Sequence, residues 1–520
     1  MPMNAPASRT AASAKNAAAG LLYRVAVSVL KLAVKMVFVR FLSEELYGVS
    51  GLFGNVLGLL ALADLGVTTA VTFALYKPLA EGENGRVAAI MGFIKKSYRI
   101  IAFAILGLGL VLLPFLPFLV EGGGVDHLRL YYLIYLGNMV VEYLFSYRRV
   151  LATASQEAWR MTPFQTLFDA LIAVFQVVVL LAFHRQAWCY TVFLLTQSIG
   201  LLAENFAINR HLDRVYPVLK ESAPKLPDGE KKSLFKNVRA LMLHKVGSVV
   251  VAGTDNLIIS AVIGLAAVGH YSNYASLIAT VSGVVYIITS NATASFGNLL
   301  AAEDGEKGLR VFREWMTGCS VLYGVGTAFF ITLFRPFITL AYGEKFLLEP
   351  GVVVLVVTAN FFLLGLSASL DVVKAAAGLY DPDKWAPLAQ AAVNLAVSIV
   401  LAKTIGIAGV FWGTLISVLI PLTVKPVVLY KHLFGKGLGR YFAMFLYEAA
   451  LTAAVAALAW WLCDLWSPEN VFFALLYKLG VTVLVAPGLF AAANAPFPAF
   501  RALLARGVAL IKGRKGESRA

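Results

Sequence analysis

Charged residues are scarce in this 520-residue chain, and acidic residues are the scarcest. Asp, Glu, Lys and Arg make up 14% of the sequence, whereas hydrophobic residues make up 59%. Soluble domains carry about 25% charged residues, so this composition excludes an ordinary soluble protein and indicates a polytopic membrane protein. The net charge of +15 would suggest a nucleic-acid partner in a soluble protein. Membrane topology accounts for it here, and we expect no nucleic-acid partner.

Cysteine and catalytic motifs are also rare. Cys189, Cys319 and Cys463 lie in or at the ends of separate hydrophobic segments, without the spacing of metal ligands. We therefore expect packing roles for them, and neither a metal site nor a resident cofactor. An ATP-binding loop, a histidine cluster and a polar stretch long enough for a soluble domain are missing too. These absences argue against a membrane glycosyltransferase or polymerase and favour a protein that is not an enzyme.

Long apolar runs dominate what is present. About 14 of them are long enough to cross a bilayer, which predicts an all-α integral membrane protein. These runs begin near residues 21, 48, 98, 128, 162, 187, 240, 268, 315, 351, 385, 407, 441 and 471.

The basic residues predict the orientation of the chain. An even number of spans puts both termini on one side, and most Lys and Arg, including Arg148 and Arg149, fall on that side. The opposite side receives few, namely Arg40, Arg129, Arg185, Arg335, Lys345 and Lys403. By the positive-inside rule, both termini are predicted to be cytoplasmic.

A proline-rich stretch after the sixth predicted helix divides the chain into two lobes. The last residues are basic and have one apolar helical face, which predicts either a segment on the anionic inner leaflet or a frayed tail. The predicted order is a disordered cytoplasmic tail (1–20), a six-helix lobe (21–209), a cytoplasmic linker (210–239), a second six-helix lobe (240–431), two additional helices (441–494) and a basic amphipathic tail (495–520).

The first hydrophobic helix, residues 21–39, carries three cations inside its span: Arg24, Lys31 and Lys35. Each charge at the centre of a membrane helix costs roughly 2.5–3.5 kcal/mol on insertion scales. At about 100° per residue the three fall on one face of the helix. Because such a stripe cannot face lipid, it predicts a wet cavity that selects anions.

The two predicted lobes are weakly similar in sequence. A shift of 221 residues places residues 41–48 over residues 262–269 and Arg24 over Lys245. Each lobe contains an even number of predicted helices, so the repeat is parallel rather than inverted. The seventh helix thus repeats the basic feature of the first.

Several motifs resemble the polysaccharide (Wzx-type) flippases of the multidrug/oligosaccharidyl-lipid/polysaccharide (MOP) exporter superfamily. They are His-Lys-Val-Gly (244–247), Thr-Asp-Asn-Leu-Ile-Ile-Ser (254–260), Val-Gly-His-Tyr-Ser-Asn-Tyr (268–274), Ser-Phe-Gly-Asn-Leu (295–299), Ala-Ala-Gly-Leu-Tyr (376–380) and Gly-Ile-Ala-Gly-Val-Phe-Trp-Gly-Thr (406–414). The resemblance implies two six-helix lobes around a central cavity, with two extra helices after the twelfth.

The same resemblance implies the function and the partners. These are translocation of undecaprenyl-pyrophosphate-linked sugars from the cytoplasmic to the outer leaflet of a bacterial cell membrane by alternating access, for cell-surface polysaccharide, with a polysaccharide polymerase and glycosyltransferases as possible partners. The pyrophosphate would bind Arg24, Lys31, Lys35 and Lys245, although Arg24 and Lys245 are also close enough to the membrane surface to snorkel. Tyr271 and Tyr274 are candidates for stacking on sugars or for an aromatic belt, and Asn273 for a polar contact or helix packing.

Four acidic residues are predicted within spans, namely Asp64, Glu142, Asp169 and Asp255. A carboxyl at such depth needs a proton or a basic partner. These residues are either counter-ions to the cationic stripe, which we favour, or sites for a coupling proton or sodium ion. A drug or organic-cation antiporter of the same superfamily is the alternative function, and the basic stripe argues against it.

Overall fold

The computed structural model describes residues 23, 26–27, 29–61, 67–119, 125–155, 157–220, 224, 226–227, 229–231, 253–290, 292–302, 305–348, 351–379 and 382–506. Helices joined by short turns account for this part of the chain, and no strand occurs in it. Nine helices of the described part are long and apolar enough to cross a membrane. The predicted all-α membrane fold class is confirmed, and the chain is a multi-pass membrane protein.

The chain divides into two compact units, residues 1–272 and 273–520. The tenth helix, α10 (Leu265–Ser290), contains the boundary. The other helices of the first unit are α1 (29–41), α2 (Glu44–Leu60), α3 (Val67–Glu81), α4 (Asn84–Leu112), α5 (Leu116–Leu119), α6 (Leu128–Ala154), α7 (Thr162–Phe183), α8 (Cys189–Val215) and α9 (253–262).

The apolar residues of α7 show which side of a helix is available to lipid. Large side chains at helical spacing are exposed along it, namely Leu167, Leu171, Val174, Phe175, Val178 and Leu181. Ala173, Gln176, Val179 and Leu180 are buried instead, in the face that packs within the unit. In water such an exposed apolar stripe would be costly, whereas acyl chains solvate it.

Helix α4 starts earlier than its hydrophobicity suggested. The apolar run predicted a start near residue 98, but the helix begins at Asn84. Lys95, Lys96 and Arg99 interrupt the apolar run without interrupting the helix, because lysine and arginine are good helix formers. The early turns of α4 still pack inward, through residues such as Ile90 and Ile94.

Small residues set the close approach of α2 and the first turns of α10. Ser43 caps α2, its hydroxyl accepting from the Leu46 amide at 3.4 Å. A Cβ on Gly48 would lie 2.1 Å from the Leu265 carbonyl oxygen, and one on Gly51 would lie 2.4 Å from the Ser272 hydroxyl oxygen. Only a residue without a side chain fits at Gly48 in this arrangement.

The second unit has its own core. After α10 its helices are α11 (Ala292–Ala302), α12 (Gly305–Tyr342), α13 (Val352–Ala376), α14 (Ala386–Ile405), α15 (Ile407–Leu429), α16 (Leu438–Asp464), α17 (Val471–Asn494) and α18 (498–506). Helix α12, with 38 residues, packs against α13, α16 and α17, and α14 pairs with α15. Gly406, with φ of +64°, makes the turn between α14 and α15 that a side chain would strain.

The short helix α18 packs onto α12. Phe500 is buried, and Leu503 Cδ2 would lie 3.2 Å from a Cβ on Gly318. Arg506 Nη2 lies 3.1 Å from Glu314 Oε2, and the Glu314 side chain is 5% exposed. Part of the apolar face that the sequence assigned to a membrane-surface segment or a frayed tail thus packs against the protein itself.

Candidate functional site

The cationic stripe of α1 is the first candidate site. Lys31 is exposed, and Lys35 is half-buried with its Nζ 5.7 Å from the centre of the Tyr47 ring. Val34 and Phe38, by contrast, are buried in the unit. Two ammonium groups one helical turn apart therefore lie on a face of α1 that is at least partly open. The other two predicted cations, Arg24 and Lys245, lie outside the described residues.

An aromatic cluster surrounds the buried side of α1. The Phe38 ring centre lies 5.8, 5.7 and 5.2 Å from those of Tyr47, Tyr190 and Phe193. Tyr190 hydrogen-bonds through its hydroxyl to the Ser50 hydroxyl at 3.0 Å. These contacts fix the rotation of α1, so they also fix the direction in which its lysines point. An ammonium near the Tyr47 ring gains a cation–π attraction.

Three of the four predicted intramembrane acids, Glu142, Asp169 and Asp255, lie in the described part of the first unit. The Tyr23 hydroxyl donates to Asp169 Oδ2 at 2.7 Å, and Glu142 is exposed. The positions of the charges in the sequence favour the lysines of the stripe as counter-ions, but the observed hydrogen bond to Asp169 comes from Tyr23. Asp64, the fourth of these acids, lies outside the described residues.

A buried ion pair that the sequence did not predict lies beside these acids. Arg149 Nη2 donates to Glu204 Oε1 at 3.1 Å and to Asn205 Oδ1 at 2.9 Å. The side chains of Arg149 and Glu204 are 18% and 10% exposed. Glu142 and Asp169 are near enough to Glu204 to act on it electrostatically. Glu142, Asp169 and Glu204 thus form an acid cluster on helices α6, α7 and α8, in which Glu204 pairs with a guanidinium.

The sequence places Arg149 among the cations on the side of the chain termini, and no motif in it singles out Glu204. A single acidic residue inside the sixth apolar run was the available signal for Glu204. Its partner lies 55 residues away, so no local pattern connects the two. The structure brings them together because α6 packs against α8.

The first unit also contains a contact between a histidine and a glutamate. His270 Nε2 lies 2.8 Å from Glu44 Oε2, with 23% and 25% of the two side chains exposed. Glu44 lies in the first of the two segments that the 221-residue shift aligned, and His270 directly follows the second. This pair joins the start of α2 to α10, and it adds a polar contact to the glycine-mediated approach of the two helices.

The residues predicted to touch sugars occupy different environments. Tyr274 is 1% exposed, and its hydroxyl oxygen accepts from the Leu348 amide at 3.1 Å. Asn273 is fully buried, whereas Tyr271 is only partly buried and lies near the Asp255 carboxyl. In this conformation Tyr271 alone of the three has an accessible surface to offer a ligand, while Tyr274 is placed as a core residue.

The second unit contains two further ion pairs, each between a lysine and an aspartate. Lys374, at the end of α13, pairs with Asp383, and their side chains are 3% and 1% exposed. Lys425, on α15, donates to Asp371 Oδ2 at 2.6 Å and to the Ser367 hydroxyl oxygen at 2.8 Å. These residues were also missed, although a lysine inside a predicted span was a visible signal in each case.

No metal-binding arrangement accompanies these charges in the part of the chain that the structure describes. That part contains no group of three or more His, Cys, Asp or Glu side chains placed to hold a metal ion. The described charges are therefore arranged as ion pairs, as the acid cluster of the first unit and as the open lysine face of α1.

No protein-family model matches this chain, and no curated protein matches it in sequence. Solved structures do match. The lipid II flippase MurJ, in an inward closed conformation, aligns with a TM-score of 0.66 and 13% identity over 91% of this chain and 99% of its own. An inward-facing multidrug resistance MATE family transporter of the MOP superfamily aligns with a TM-score of 0.61 and 12% identity over 79% and 98%.

A third match is a MOP superfamily transporter from Pyrococcus furiosus. The reverse polarity of its binding pocket is described as suggesting a different function for that protein. It aligns with a TM-score of 0.51 and 13% identity over 80% of this chain and 93% of its own. Identities this low establish likeness of fold and nothing finer. The chain therefore has the fold shared by the lipid II flippase MurJ and the transporters of the MOP superfamily.

Proposed function

We propose that this chain is an exporter of the MOP superfamily that flips pyrophosphate-linked lipids across the membrane. The single observation that carries the proposal is the exposed Lys31, one turn from Lys35, in a helix whose other residues are apolar except Arg40 near its end. Within the described part of the chain, Lys31 forms no ion pair. A cation kept in an apolar helix at a cost of roughly 2.5–3.5 kcal/mol needs a compensating role, and binding an anionic headgroup is such a role.

The chemistry of the stripe suits a pyrophosphate better than a carboxylate or a neutral sugar. Two ammonium groups separated by one turn, about 6 Å apart along the helix, supply several donors to neighbouring phosphate oxygens. Ammonium groups also replace part of the hydration shell that a phosphate loses when it leaves water. MurJ, whose fold this chain shares, is a flippase of lipid II, which supports a lipid-linked cargo.

The finer proposal is an undecaprenyl-pyrophosphate-linked oligosaccharide moving from the cytoplasmic to the outer leaflet of a bacterial inner membrane. Both termini are then cytoplasmic, and the product supplies cell-surface polysaccharide synthesis. A membrane potential that is negative inside favours this direction for an anion. At about 2.3 kcal/mol per charge per 100 mV, two uncompensated charges gain about 4–5 kcal/mol, so a coupling ion is not required by energy alone.

The test is transport of a fluorescent lipid-linked oligosaccharide by the purified chain in vesicles. Lys31→Gln/Lys35→Gln is expected to reduce flipping by at least about tenfold, since each lost charge-assisted contact contributes about 1.5–3 kcal/mol. Lys31→Arg/Lys35→Arg keeps the charges and should retain most of the activity. Lys403→Gln, which removes an exposed cation at the end of α14, is the matched control. Full flipping by a folded Gln double variant would overturn the assigned role of the stripe.

A second candidate function, export of organic cations, is favoured by the acid cluster of the first unit. Of Glu142, Asp169 and Glu204, only Glu204 is observed to pair with a guanidinium among the described residues, and the exposed carboxylate of Glu142 attracts cations. The matching MATE transporter is described as a multidrug resistance protein. Efflux of a cationic dye that Glu142→Gln abolishes and Lys31→Gln leaves unchanged would support this function over the flippase.

A further inference from the structure

A cavity inside the second unit is separate from the lysine face of α1. It has a volume of about 320 Å³ and lies between α12, α16 and the residues that lead into α18, with Leu366 of α13 at its side. This volume is within the range of sites for small ligands. None of the contacts described above for the proposed transport function involves it.

Three arginines border the cavity: Arg310, Arg313 and Arg440. Arg310 and Arg440 are exposed, and Arg313 is half-buried. Arg313 and Arg440 both act electrostatically on Tyr430, so they lie near each other. Arg313 Nη2 is also 3.1 Å from the place of a Cβ on Gly437, beside the start of α16, where the helix dipole adds positive potential.

The carboxylates around the cavity do not neutralise these arginines. Glu314 pairs with Arg506. Glu448 lines the inner wall but is 1% exposed, and neither of its oxygens presents a surface to the cavity. The Asn494 amide faces Glu448, although its Nδ2 donates to the Phe490 carbonyl at 3.2 Å. Within the described residues, none of the three arginines has an ion-pair partner.

The rest of the lining is mostly apolar, including Met316, Leu366, Met444 and Phe445. Arg440 lies two residues after the start of α16, a helix that can span a membrane. The arginines are therefore at the level of a membrane surface, and the apolar lining along α16 extends from there toward the bilayer interior. An occupant that matches both the arginines and the apolar lining carries an anionic group next to a hydrocarbon chain.

We propose that this cavity binds an anionic phospholipid of the leaflet on the side of the chain termini. Its phosphate lies at Arg313 and Arg440, and part of one acyl chain follows the apolar wall. The chain's own last residues are excluded as the occupant because residues 507–520 carry Lys512, Arg514, Lys515 and Arg519 against Glu517, and the arginines would repel them. Arg506, by pairing with Glu314, holds the residues around α18 over the lipid.

The experiment is native mass spectrometry of the purified full chain with added phosphatidylglycerol, phosphatidylethanolamine or phosphatidylcholine, together with unfolding temperatures in the same lipids. The chain is expected to retain phosphatidylglycerol preferentially and to be stabilised by it. Arg313→Gln/Arg440→Gln should weaken that retention by about 30-fold, because each basic residue near a membrane surface contributes to anionic lipid binding. Arg501→Gln, an exposed arginine outside the cavity lining, should leave it unchanged.

A second variant keeps the proposal testable if the arginine double variant misfolds. Ala502→Phe fills the cavity from the α18 side without changing any charge, and it should also displace the lipid. Equal retention of the three lipids, equal protection by inorganic phosphate, or undiminished phosphatidylglycerol binding by both variants would each overturn the proposal. Because the experiment measures lipid retention, failure of this proposal would be independent of the result of the flipping assay.

Discussion

Gly48 and Gly269 touch each other, although 221 residues separate them in the chain. A Cβ on Gly269 would lie 3.3 Å from the Gly48 amide nitrogen and 2.9 Å from the Glu44 carbonyl oxygen. The two glycines are the residues that the 221-residue shift superimposes, and the same shift pairs Gly51 with Ser272, which are also in contact. Equivalent positions of the two sequence repeats thus meet where α2 and α10 approach.

Substitution at this contact is expected to be costly. Gly48→Ala places a methyl group 2.1 Å from the Leu265 carbonyl oxygen, so one backbone must move. Overpacking of this kind costs about 1–3 kcal/mol, which exceeds the gain of about 1 kcal/mol from replacing glycine by alanine in a helix. We expect a lower unfolding temperature of the purified variant.

Gly54 offers a matched control on the same helix. A Cβ there would meet nothing within 4 Å, so Gly54→Ala should be neutral or slightly stabilising. Equal unfolding temperatures for the two variants would contradict the steric role assigned to Gly48.

The Arg149–Glu204 pair predicts a non-additive mutant cycle. Arg149→Met leaves Glu204 without its guanidinium, and removing one partner of a buried pair costs about 3–5 kcal/mol. Arg149→Met/Glu204→Leu removes both charges and should be less destabilising than Arg149→Met alone. The measurement is the unfolding free energy of the single and double variants in the same detergent.

Arg148 provides the comparison for that cycle. It pairs with Asp213 at 2.7 Å, but the two side chains are 23% and 25% exposed, so water screens the charges more effectively. Arg148→Met should therefore cost less than Arg149→Met. The reverse order would mean that burial does not determine the strength of these pairs.

The burial of Tyr274 predicts a structural effect without a transport effect. Tyr274→Phe removes the acceptor of the Leu348 amide, and an unsatisfied buried group costs about 1–3 kcal/mol. The unfolding temperature should fall, while flipping per folded molecule should stay the same. A variant with normal stability and impaired flipping would instead place the Tyr274 hydroxyl at the cargo.

Glu157 predicts a pH-dependent contribution to stability. It accepts from Arg160 at 2.8 and 3.0 Å and from the Tyr216 hydroxyl at 2.7 Å. Burial alone would raise the pKa of Glu157, but the hydrogen bonds and the Arg160 charge outweigh it and lower the pKa. A lowered folded-state pKa stabilises the fold above the ordinary pKa of a glutamate, and this stabilisation is lost as the pH falls through the folded-state value.

Glu157→Gln should accordingly lower the unfolding temperature at neutral pH, and the difference from the unaltered chain should shrink as the pH falls below about 4. The exposed Glu469 is the control, since Glu469→Gln should make little difference at any of these pH values. A constant difference for Glu157→Gln across the range would show that its effect is not electrostatic.

The sequence predicts the helical membrane fold because hydrophobicity alone decides whether a helix enters a bilayer. It also predicts that Lys31 and Lys35 share a face, because helical periodicity is local. It does not predict what that face meets. The contact of Lys35 with Tyr47 and the rotation of α1 against Tyr190 depend on packing between distant segments.

The sequence does not predict how the buried charges pair, for the same reason. Lys425 and Asp371 are 54 residues apart, and each looks like an isolated charge in its own span. Tyr274 looks like an interfacial aromatic residue because its motif is polar, yet the Leu348 amide and the Phe334 ring enclose it. The sequence shows that a polar group lies in an apolar span, where its burial costs free energy. Only the tertiary structure shows the partner whose contact offsets that cost.

Helix α12 is too long to be contained in a bilayer. Its 38 residues extend over about 57 Å, against about 30 Å of hydrocarbon, so even a tilt of about 40° leaves roughly 14 Å outside. The start of α12 carries exposed residues such as Gly305 and Glu306, which should be open to aqueous reagents. A single cysteine at Glu306 in a chain free of other cysteines would therefore report, by labelling with an impermeant maleimide in intact cells and in inverted vesicles, which side of the membrane this end occupies.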